Sequence, residues 1–361
     1  MLLTRRGRKE QHRRPLLNIH VGAVLSNGTG GEGSVHEVVG DRNFVYKRYK
    51  PFKLTSSLEK KLMYMVTAPP VTSMSKYISW PTQLMKTPAG KLDGFVMPRL
   101  NFNKKLNDVY EGHHYPYEFS IVVARNLCLM VDQLHKNNII IGDFNHGNVG
   151  VYETTSEVSM MDCDSFHLGN GQYPCCVCMD GYASPELLKY MKAKNTMRYD
   201  EAPFTKNTDL FSLATHIFRL LMKGVSPYNG INIAVRNSSA VVSAGNDPIE
   251  NGMYVFKQGL TPAHPACPPK YVLSDQLIAM FDKAFLYVYD AAKAQPCRPS
   301  ALEWYDALQT YRSSLIKCHK DTHQYYNGLS NCPWCEAEQR EETFNRTRSM
   351  GTLPAYKVRR R

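Results

Sequence analysis

Nowhere in the 361 residues is there an apolar run long enough to span a bilayer, so no transmembrane helix is expected. Residues 1–14 hold six basic and one acidic side chain, but no apolar stretch follows them, so a secretory leader is not expected either. No internal repeat is found, which excludes a solenoid or propeller. Without an export signal, the ten cysteines read as reduced thiols or metal ligands rather than a disulfide framework, and the chain reads as cytoplasmic. Acidic residues are outnumbered, 32 against 44 Lys and Arg, for a net charge of +12. That excess sits at the ends. Residues 1–14 carry +5 and residues 340–361, with seven basic and two acidic side chains, carry another +5, leaving +2 for the middle. A basic face is therefore not implied. The tails read as solvated, disordered segments, and nucleic acid or an acidic partner is the disfavoured reading.

What is present is ample core material, with 43% apolar residues. Residues 21–100 read as strand-rich, with one helix over 56–67 that Ser56 or Ser57 would cap. Pro69-Pro70 breaks the chain, and Gly94–Pro98 is a strand running into a proline. Helices then dominate: 117–138, ending at Asn137-Asn138, and about 184–192, 208–224, 274–288 and 300–316. Residues 225–272, rich in Gly, Pro and Asn, read as an irregular insertion. The fold class is α+β, a small β-rich part before a larger helical part.

Chemistry-bearing residues recur in a fixed order. Gly28-Thr29-Gly30-Gly31-Glu32-Gly33-Ser34-Val35 fits G-x-G-x-x-G-x-V, Lys47 follows in a strand, and Asp143 stands five residues before Asn148. Asp162-Cys163-Asp164 comes next, after the apolar pair Met160-Met161. Alone, each is weak. The glycine run could be a flexible turn or belong to a dinucleotide fold, but no helix is signalled directly after it, which argues against the latter. Together they suit a polyphosphate. Glycines leave backbone N–H groups open to anionic oxygens, a lysine adds a point charge, and Asn148 and Asp162 offer the oxygens a hard cation such as Mg²⁺ takes. Asp143 is placed to accept or orient the proton of an attacking hydroxyl.

Three further landmarks complete the set: Gly181–Glu186 (GYASPE), Thr208–Ala214 (TDLFSLA) and Arg298-Pro299-Ser300. With them, residues 20–312 resemble the eukaryotic-type protein kinase family. The resemblance implies a bilobed fold with a small lobe over 19–100 and a large lobe over 101–314. It implies ATP with Mg²⁺ or Mn²⁺, a protein substrate, and Val96 and Met97 at the hinge that meets the nucleotide. Gly28, Gly30, Gly31, Gly33 and Val35 would cover the phosphates, Lys47 would pair with Glu59 twelve residues on, and Arg298 with Glu186. Asp143, Lys47, Asn148 and Asp162 would carry catalysis, with Asp164 the alternative or additional metal donor. For Glu59 the plain alternative is a solvated helix residue beside Lys60 and Lys61. The stretch RPSALEWY, the later cysteines and Asp162-Cys163-Asp164-Ser165-Phe166 resemble more narrowly the bacterial YegI-like kinases. Some of that group carry a helix-hairpin-helix DNA-binding region. No such segment is recognised here, so DNA binding is not carried over.

The chain departs from the pattern in places. Ile141-Gly142 stand where the family has His-Arg, so a phosphorylated activation segment loses its usual clamp. Asn145 replaces the lysine common in Ser/Thr kinases and leans toward small-molecule phosphotransferases. Cys175, Cys176 and Cys178 fall in the activation segment and read either as small apolar residues in a turn or as a redox-responsive or metal-binding cluster.

Cys318, His323, Cys332 and Cys335 make a Cys₃His set suited to structural Zn²⁺, in a knuckle over 315–340 ahead of a basic tail at 341–361. His319 is the competing imidazole, and a redox pair at Cys332 and Cys335 the alternative, although no βαβ pattern surrounds it. Three functions compete: a Ser/Thr protein kinase, a kinase-fold small-molecule phosphotransferase, and a pseudokinase scaffold binding partners through knuckle and tails. The intact motif set argues against the third, and the GYASPE segment favours protein over small-molecule acceptors.

Overall fold

The structure, a computed structural model, describes residues 19–349 except 71, 112–114, 233–246, 263–266, 287–288, 291–294 and 321–322. The N-terminal tail 1–18, the chain beyond Ser349 and part of the 225–272 insertion lie outside the described residues. The fold is mixed α/β. The chain divides into two compact units, one holding the chain up to Pro69 with Ser79–Arg99, the other Pro70–Ile78 and everything from Leu100 on.

The first unit is a five-stranded antiparallel sheet, order β1-β2-β3-β5-β4, with one helix. Its strands are β1 (Val21–Thr29), β2 (Gly33–Val38), β3 (Phe44–Tyr49), β4 (Gln83–Lys86) and β5 (Leu92–Pro98). Helix α1 spans Ser56–Thr67, as the pattern predicts. Its cap is Thr55, not Ser56 or Ser57. Thr55 keeps the extended backbone a cap requires and its Oγ1 accepts the Leu58 N–H at 3.1 Å, whereas Ser56 is already helical. Leu62 and Met65 are fully buried, each worth about 2 kcal/mol of transfer free energy. Trp80 Nε1 donates to the Met65 carbonyl at 2.8 Å.

The second unit is mainly helical. After β6 (Lys104–Lys105) and the short α2 (Leu106–Glu111) comes α3 (Tyr117–Lys136), whose apolar stripe Ile121, Ala124, Leu127, Cys128, Val131 and Leu134 is fully buried. Asn138, in the left-handed region at φ 55°, ends its path as the asparagine pair predicts. β7 (Val149–Val151) and β8 (Val158–Met160) form a hairpin that β6 extends to three strands. α4 (Pro185–Lys194) and α5 (Lys206–Leu221) follow, then β9 (Gly230–Asn232), α6 (Asp247–Glu250) and β10 (Leu260–Pro262). α5 begins with a reciprocal Thr205–Thr208 cap and stops at Leu221, short of the predicted 224, because Lys223 (φ 48°) and Gly224 (φ 81°) turn left-handed. α7 (Asp275–Phe285), β11 (Tyr289–Asp290), β12 (Gln295–Pro296) and α8 (Ala301–Ser313) precede the hairpin β13 (Leu315–Lys317) and β14 (Gln324–Tyr326), and α9 (Pro333–Ser349) closes the described chain. α9 runs into the segment the sequence assigns to a disordered tail. α3 packs against α5 and α8, and α7 joins them through Phe211, Phe218, Phe281, Phe285 and Trp304. No helix among the described residues is long and apolar enough to cross a membrane.

Candidate functional site

In the first unit the glycine motif is the turn joining β1 to β2. A Cβ on Gly33 would stand 2.0 Å from the Arg48 carbonyl oxygen, and one on Gly28 2.7 Å from that of Val35, so the sheet itself requires these two glycines. Gly30 and Gly31 differ: a Cβ on either meets no protein atom within 4 Å, and neither adopts positive φ. The protein's own packing does not demand glycine there. Val35 pairs in register with Lys47, whose body is buried between strands, and Lys47 faces Phe95 on the other side.

Lys47 Nζ lies 4.0 Å from Glu32 Oε2 and 5.3 Å from the Tyr49 ring centroid. The predicted Lys47–Glu59 pair is replaced: Glu59 Oε1 is 2.8 Å from Lys86 Nζ. Glu59 sits in the first turn of α1, which packs on β4, so the strand's lysine is the cation within its reach. Val96 is fully buried in a cluster with Val38 and Tyr46, and its carbonyl accepts the Thr82 N–H at 2.8 Å. Met97 pairs with Val45.

In the second unit Asp143 sits in a loop pinned from beneath. Asp209, 1% exposed at the start of α5, accepts the Ile141 and Gly142 N–H groups at 2.8 and 2.9 Å and lies 2.9 Å from His135 Nε2. Such charge-assisted bonds are strong in a dry setting. Gly142 has φ 74°, and a Cβ there would meet Cys175 Sγ at 2.7 Å, so no other residue fits this turn unstrained. Asn145, 2% exposed, is a cap: its Oδ1 accepts the Gly147 N–H at 2.8 Å. Asn148 Nδ2 donates to the Asp143 carbonyl at 3.1 Å and to Asp143 Oδ2 at 3.3 Å, which turns its Oδ1 away from Asp143. Asp143 Oδ1 accepts the Met179 N–H at 2.9 Å. The β7–β8 register pairs Val149 with Met160, and Met161 N–H donates to the Asn148 carbonyl at 2.8 Å, so Asn148 and Asp162 leave the same end of the hairpin. Asp162 is exposed and left-handed (φ 49°), while Asp164 is buried at 6%. The sequence thus placed Asp143, Asn148 and Asp162 in one neighbourhood of this unit, and Lys47 and the glycine turn belong to the other.

The segment after Asp162 packs on α4 and the loop that follows it. Cys175 is buried with Leu187, Met191, Ala202 and Phe204, and Cys178 lies partly against that cluster. Burial, then the nearby Asp143, pushes the Cys178 thiol well above its usual range. These two thiols are thus packed as the apolar reading expects, and Cys176 is exposed. Arg298 Nη2 donates to Glu186 Oε2 at 2.8 Å and Nη1 to Oε1, the pair the family resemblance implies; Nη1 also reaches Asn207 Oδ1 at 2.6 Å. Sequence reasoning missed His146, Tyr182, His216 and Arg219. His146 Nδ1 lies 2.7 Å from the Tyr182 hydroxyl, and His216 Nε2 3.1 Å from the Phe144 carbonyl. For His216 and Arg219 the signal was a polar residue every three or four positions along α5.

Near the C-terminus the ligand atoms of Cys318, His323, Cys332 and Cys335 all lie within 4.8 Å of one another. Zinc bonds of about 2.3 Å to sulfur and about 2.0 Å to nitrogen in a tetrahedron require S···S edges of about 3.8 Å and S···N edges of about 3.5 Å. The Cys318–Cys335 sulfurs are 3.7 Å apart, and His323 Nδ1 lies 3.7 and 3.6 Å from the sulfurs of Cys332 and Cys335. His323 Nε2 faces Glu338 Oε1 at 3.2 Å, the outer carboxylate that fixes a ligand imidazole. Burial and the neighbouring thiols push the Cys335 thiol up to about 12, and a dication held by these residues would favour its thiolate. His319 lines the adjacent cavity outside the four-ligand set. Two more residues absent from the sequence reading anchor the cluster: Trp334, 1% exposed, packs 4.7 Å from Tyr117 at the start of α3, and Gln324 Nε2 donates to Glu118 at 3.1 Å.

No protein-family model matches the chain. Among curated proteins it is 29% identical over 327 residues to proteins named Protein kinase YegI from Escherichia coli K12 and from E. coli O157:H7, covering 85% of this chain and 47% of theirs. The chain spans about half the length of these relatives. The ordered motifs and the Asp143–Asn148 loop lie in a chain that is thus similar, over most of its own length, to proteins named as kinases.

Proposed function

We propose that the chain is an ATP-dependent protein kinase that transfers the γ-phosphoryl group to Ser or Thr hydroxyls of a protein. The observation that carries this reading is the Asp143 loop: a carboxylate on a backbone pinned by Asp209 and oriented by Asn148. Such a carboxylate accepts or orients the proton of an attacking hydroxyl. Asn148 Oδ1, turned away from Asp143, and the exposed Asp162 carboxylate are hard oxygen donors that fit Mg²⁺ or Mn²⁺. When bound, that ion neutralises charge on the phosphates. The Gly30 N–H closes the turn on the Gly33 carbonyl at 2.9 Å, while the space without protein atoms beside Gly30 and Gly31 lets phosphate oxygens approach the turn backbone, and Lys47 adds the point charge. The Tyr182–Glu186 segment, locked through Glu186 to Arg298, favours a protein acceptor over a small molecule. The Cys/His cluster fits structural zinc by its edges and by its Glu338 support.

Incubation of the purified protein with radiolabelled ATP and Mg²⁺ tests the reading. Label should appear on protein Ser or Thr. Asp143→Ala should lower transfer by about 10²–10⁴-fold with ATP affinity nearly intact. Lys47→Met should lower it at least about tenfold, roughly 1.4 kcal/mol of transition-state binding. Equal transfer by wild type and Asp143→Ala would remove Asp143 from the chemistry. Label only on a small acceptor would favour a small-molecule phosphotransferase, and nucleotide binding without transfer a scaffold.

A further inference from the structure

Helix α5 offers the loop more than Asp209. Asp209, Ser212, His216 and Arg219 recur at intervals of three and four and so form one polar stripe along a helix otherwise packed with apolar side chains. Each reaches a different point of the two segments flanking Asp143. Asp209 holds the N–H groups of Ile141 and Gly142. Ser212 Oγ donates to the Tyr182 carbonyl at 3.0 Å. His216 Nε2 meets the Phe144 carbonyl at 3.1 Å, and Arg219 Nη1 meets the Tyr182 hydroxyl at 2.9 Å. The Tyr182 hydroxyl in turn meets His146 Nδ1 at 2.7 Å.

Proton directions follow from what each group can do. A carbonyl only accepts, so His216 Nε2 carries a hydrogen. Burial holds this imidazole neutral, so its Nδ1 accepts from the Tyr110 hydroxyl. A guanidinium only donates, so the Tyr182 oxygen accepts from Arg219, and the same hydroxyl bonds His146 Nδ1 and the Tyr110 hydroxyl. The Tyr182 hydroxyl thus joins Arg219 to His146. The rings close around it: His146–Tyr182 centroids are 5.5 Å apart, Tyr182–His216 4.9 Å and Phe144–His216 4.5 Å, and Arg219 lies 4.5 Å over Tyr110. Phe144 and His146 flank Asn145 within the six residues from Asp143 to Asn148.

We propose that His216, Arg219, Tyr182 and His146 are positioning residues that fix the loop carrying Asp143 and Asn148, a role that rests on the kinase reading above. None bears a reacting group. Their work is to hold the loop at Phe144 and His146, after Asp209 has held it at Ile141 and Gly142. The device also ties the end of the activation segment to the loop where the arginine before Asp143 is missing. Misplacement of a reacting group by about 1 Å costs up to about 10²-fold in rate, so loosening this hold should appear in turnover before it appears in nucleotide affinity.

The experiment uses the full chain and two readouts, phosphoryl transfer and backbone hydrogen exchange of the 141–149 segment. Tyr182→Phe keeps the ring and removes the hydroxyl. It should lower kcat about tenfold with KM for ATP within twofold, and speed exchange across 141–149. His216→Gln retains an N–H for the Phe144 carbonyl and should keep most of the rate, whereas His216→Leu should lose about tenfold. Unchanged exchange and unchanged kcat in Tyr182→Phe would overturn the proposal. So would equal losses in His216→Gln and His216→Leu, the mark of mere packing. A wild type that transfers no phosphate, with loop exchange still raised in Tyr182→Phe, would sink the kinase reading while leaving the loop clamp standing.

Discussion

Gly142 shows how one position acquires its identity. In the sequence it stands where an arginine is usual and reads only as a lost phosphate clamp. In the structure its φ of 74° and the Cys175 sulfur 2.7 Å from a would-be Cβ make glycine the residue the turn accepts. The glycine turn divides the same way, and this division is testable. Gly33→Ala forces a Cβ against the Arg48 carbonyl and should lower stability by at least about 1 kcal/mol, seen as a lower urea midpoint. Gly30→Ala meets no protein atom, so the midpoint should stay within about 0.5 kcal/mol. ATP affinity should nonetheless fall, because a methyl group there fills the open space through which phosphate would approach the turn backbone. If Gly30→Ala binds ATP as wild type does, the turn is not a phosphate cradle. The glycine spacing was legible in the sequence. Which glycines serve the sheet and which face open space depends on the neighbouring strand's carbonyls, which no local pattern encodes.

Helix α5 was legible as a helix over about 208–224, because apolar side chains dominate Leu210–Met222, and thirteen of its sixteen residues are buried. Its polar stripe was present in the sequence but silent, since a buried serine or histidine in such a helix gains meaning only from the loop it meets. Glu59 failed for a related reason: spacing puts it one helix away from Lys47, but packing of α1 on β4 hands it to Lys86. His216 yields a pH test. Burial, the largest cause, lowers its pKa well below the usual histidine value in the folded state, while unfolded it titrates at about 6.5. Below about pH 6.5 the unfolded chain takes up a proton that the folded one refuses, so stability is lost as pH falls. The loss from this residue reaches at most about 1.4 kcal/mol per pH unit. His216→Gln has no such proton to take up, so the wild type should lose stability more steeply than the variant between pH 7 and 5. Parallel slopes in urea unfolding across that range would mean His216 is solvated in solution.

Across the whole chain, the order of motifs from glycine turn to Arg298 was legible, and so were the Cys₃His ligands, because two thiolates with two residues between them, together with Cys318 and His323, make the four donors a tetrahedral ion takes. What the sequence could not convey is that the cluster is bound into the helical unit. Trp334 packs on Tyr117, its Nε1 donates to the Gln324 carbonyl at 2.6 Å, and Gln324 with Arg312 engages Glu118 at the head of α3. α3 then runs to His135, which meets Asp209 beneath the Asp143 loop. The cluster is therefore a staple on the long helix rather than a free appendage. Protein purified without chelator should contain about one zinc per chain, as four closed ligands imply. Cys332→Ser, Cys335→Ser or His323→Ala should release it, and His319→Ala should not. Since binding and folding energy are linked at such a site, release should open residues 315–340 to protease. It should also lower the melting temperature of the unit holding α3. For about 250 residues a loss of 1 kcal/mol shifts melting by about 2–4 °C, so a drop of several degrees is expected. Trp334→Ala, which leaves all four ligands in place, should reproduce much of that drop while retaining zinc. Absence of zinc by metal analysis would refute the site. Zinc loss without any melting shift would show the ion holding only its own hairpin, and the staple would then be wrong even with the ligand set right.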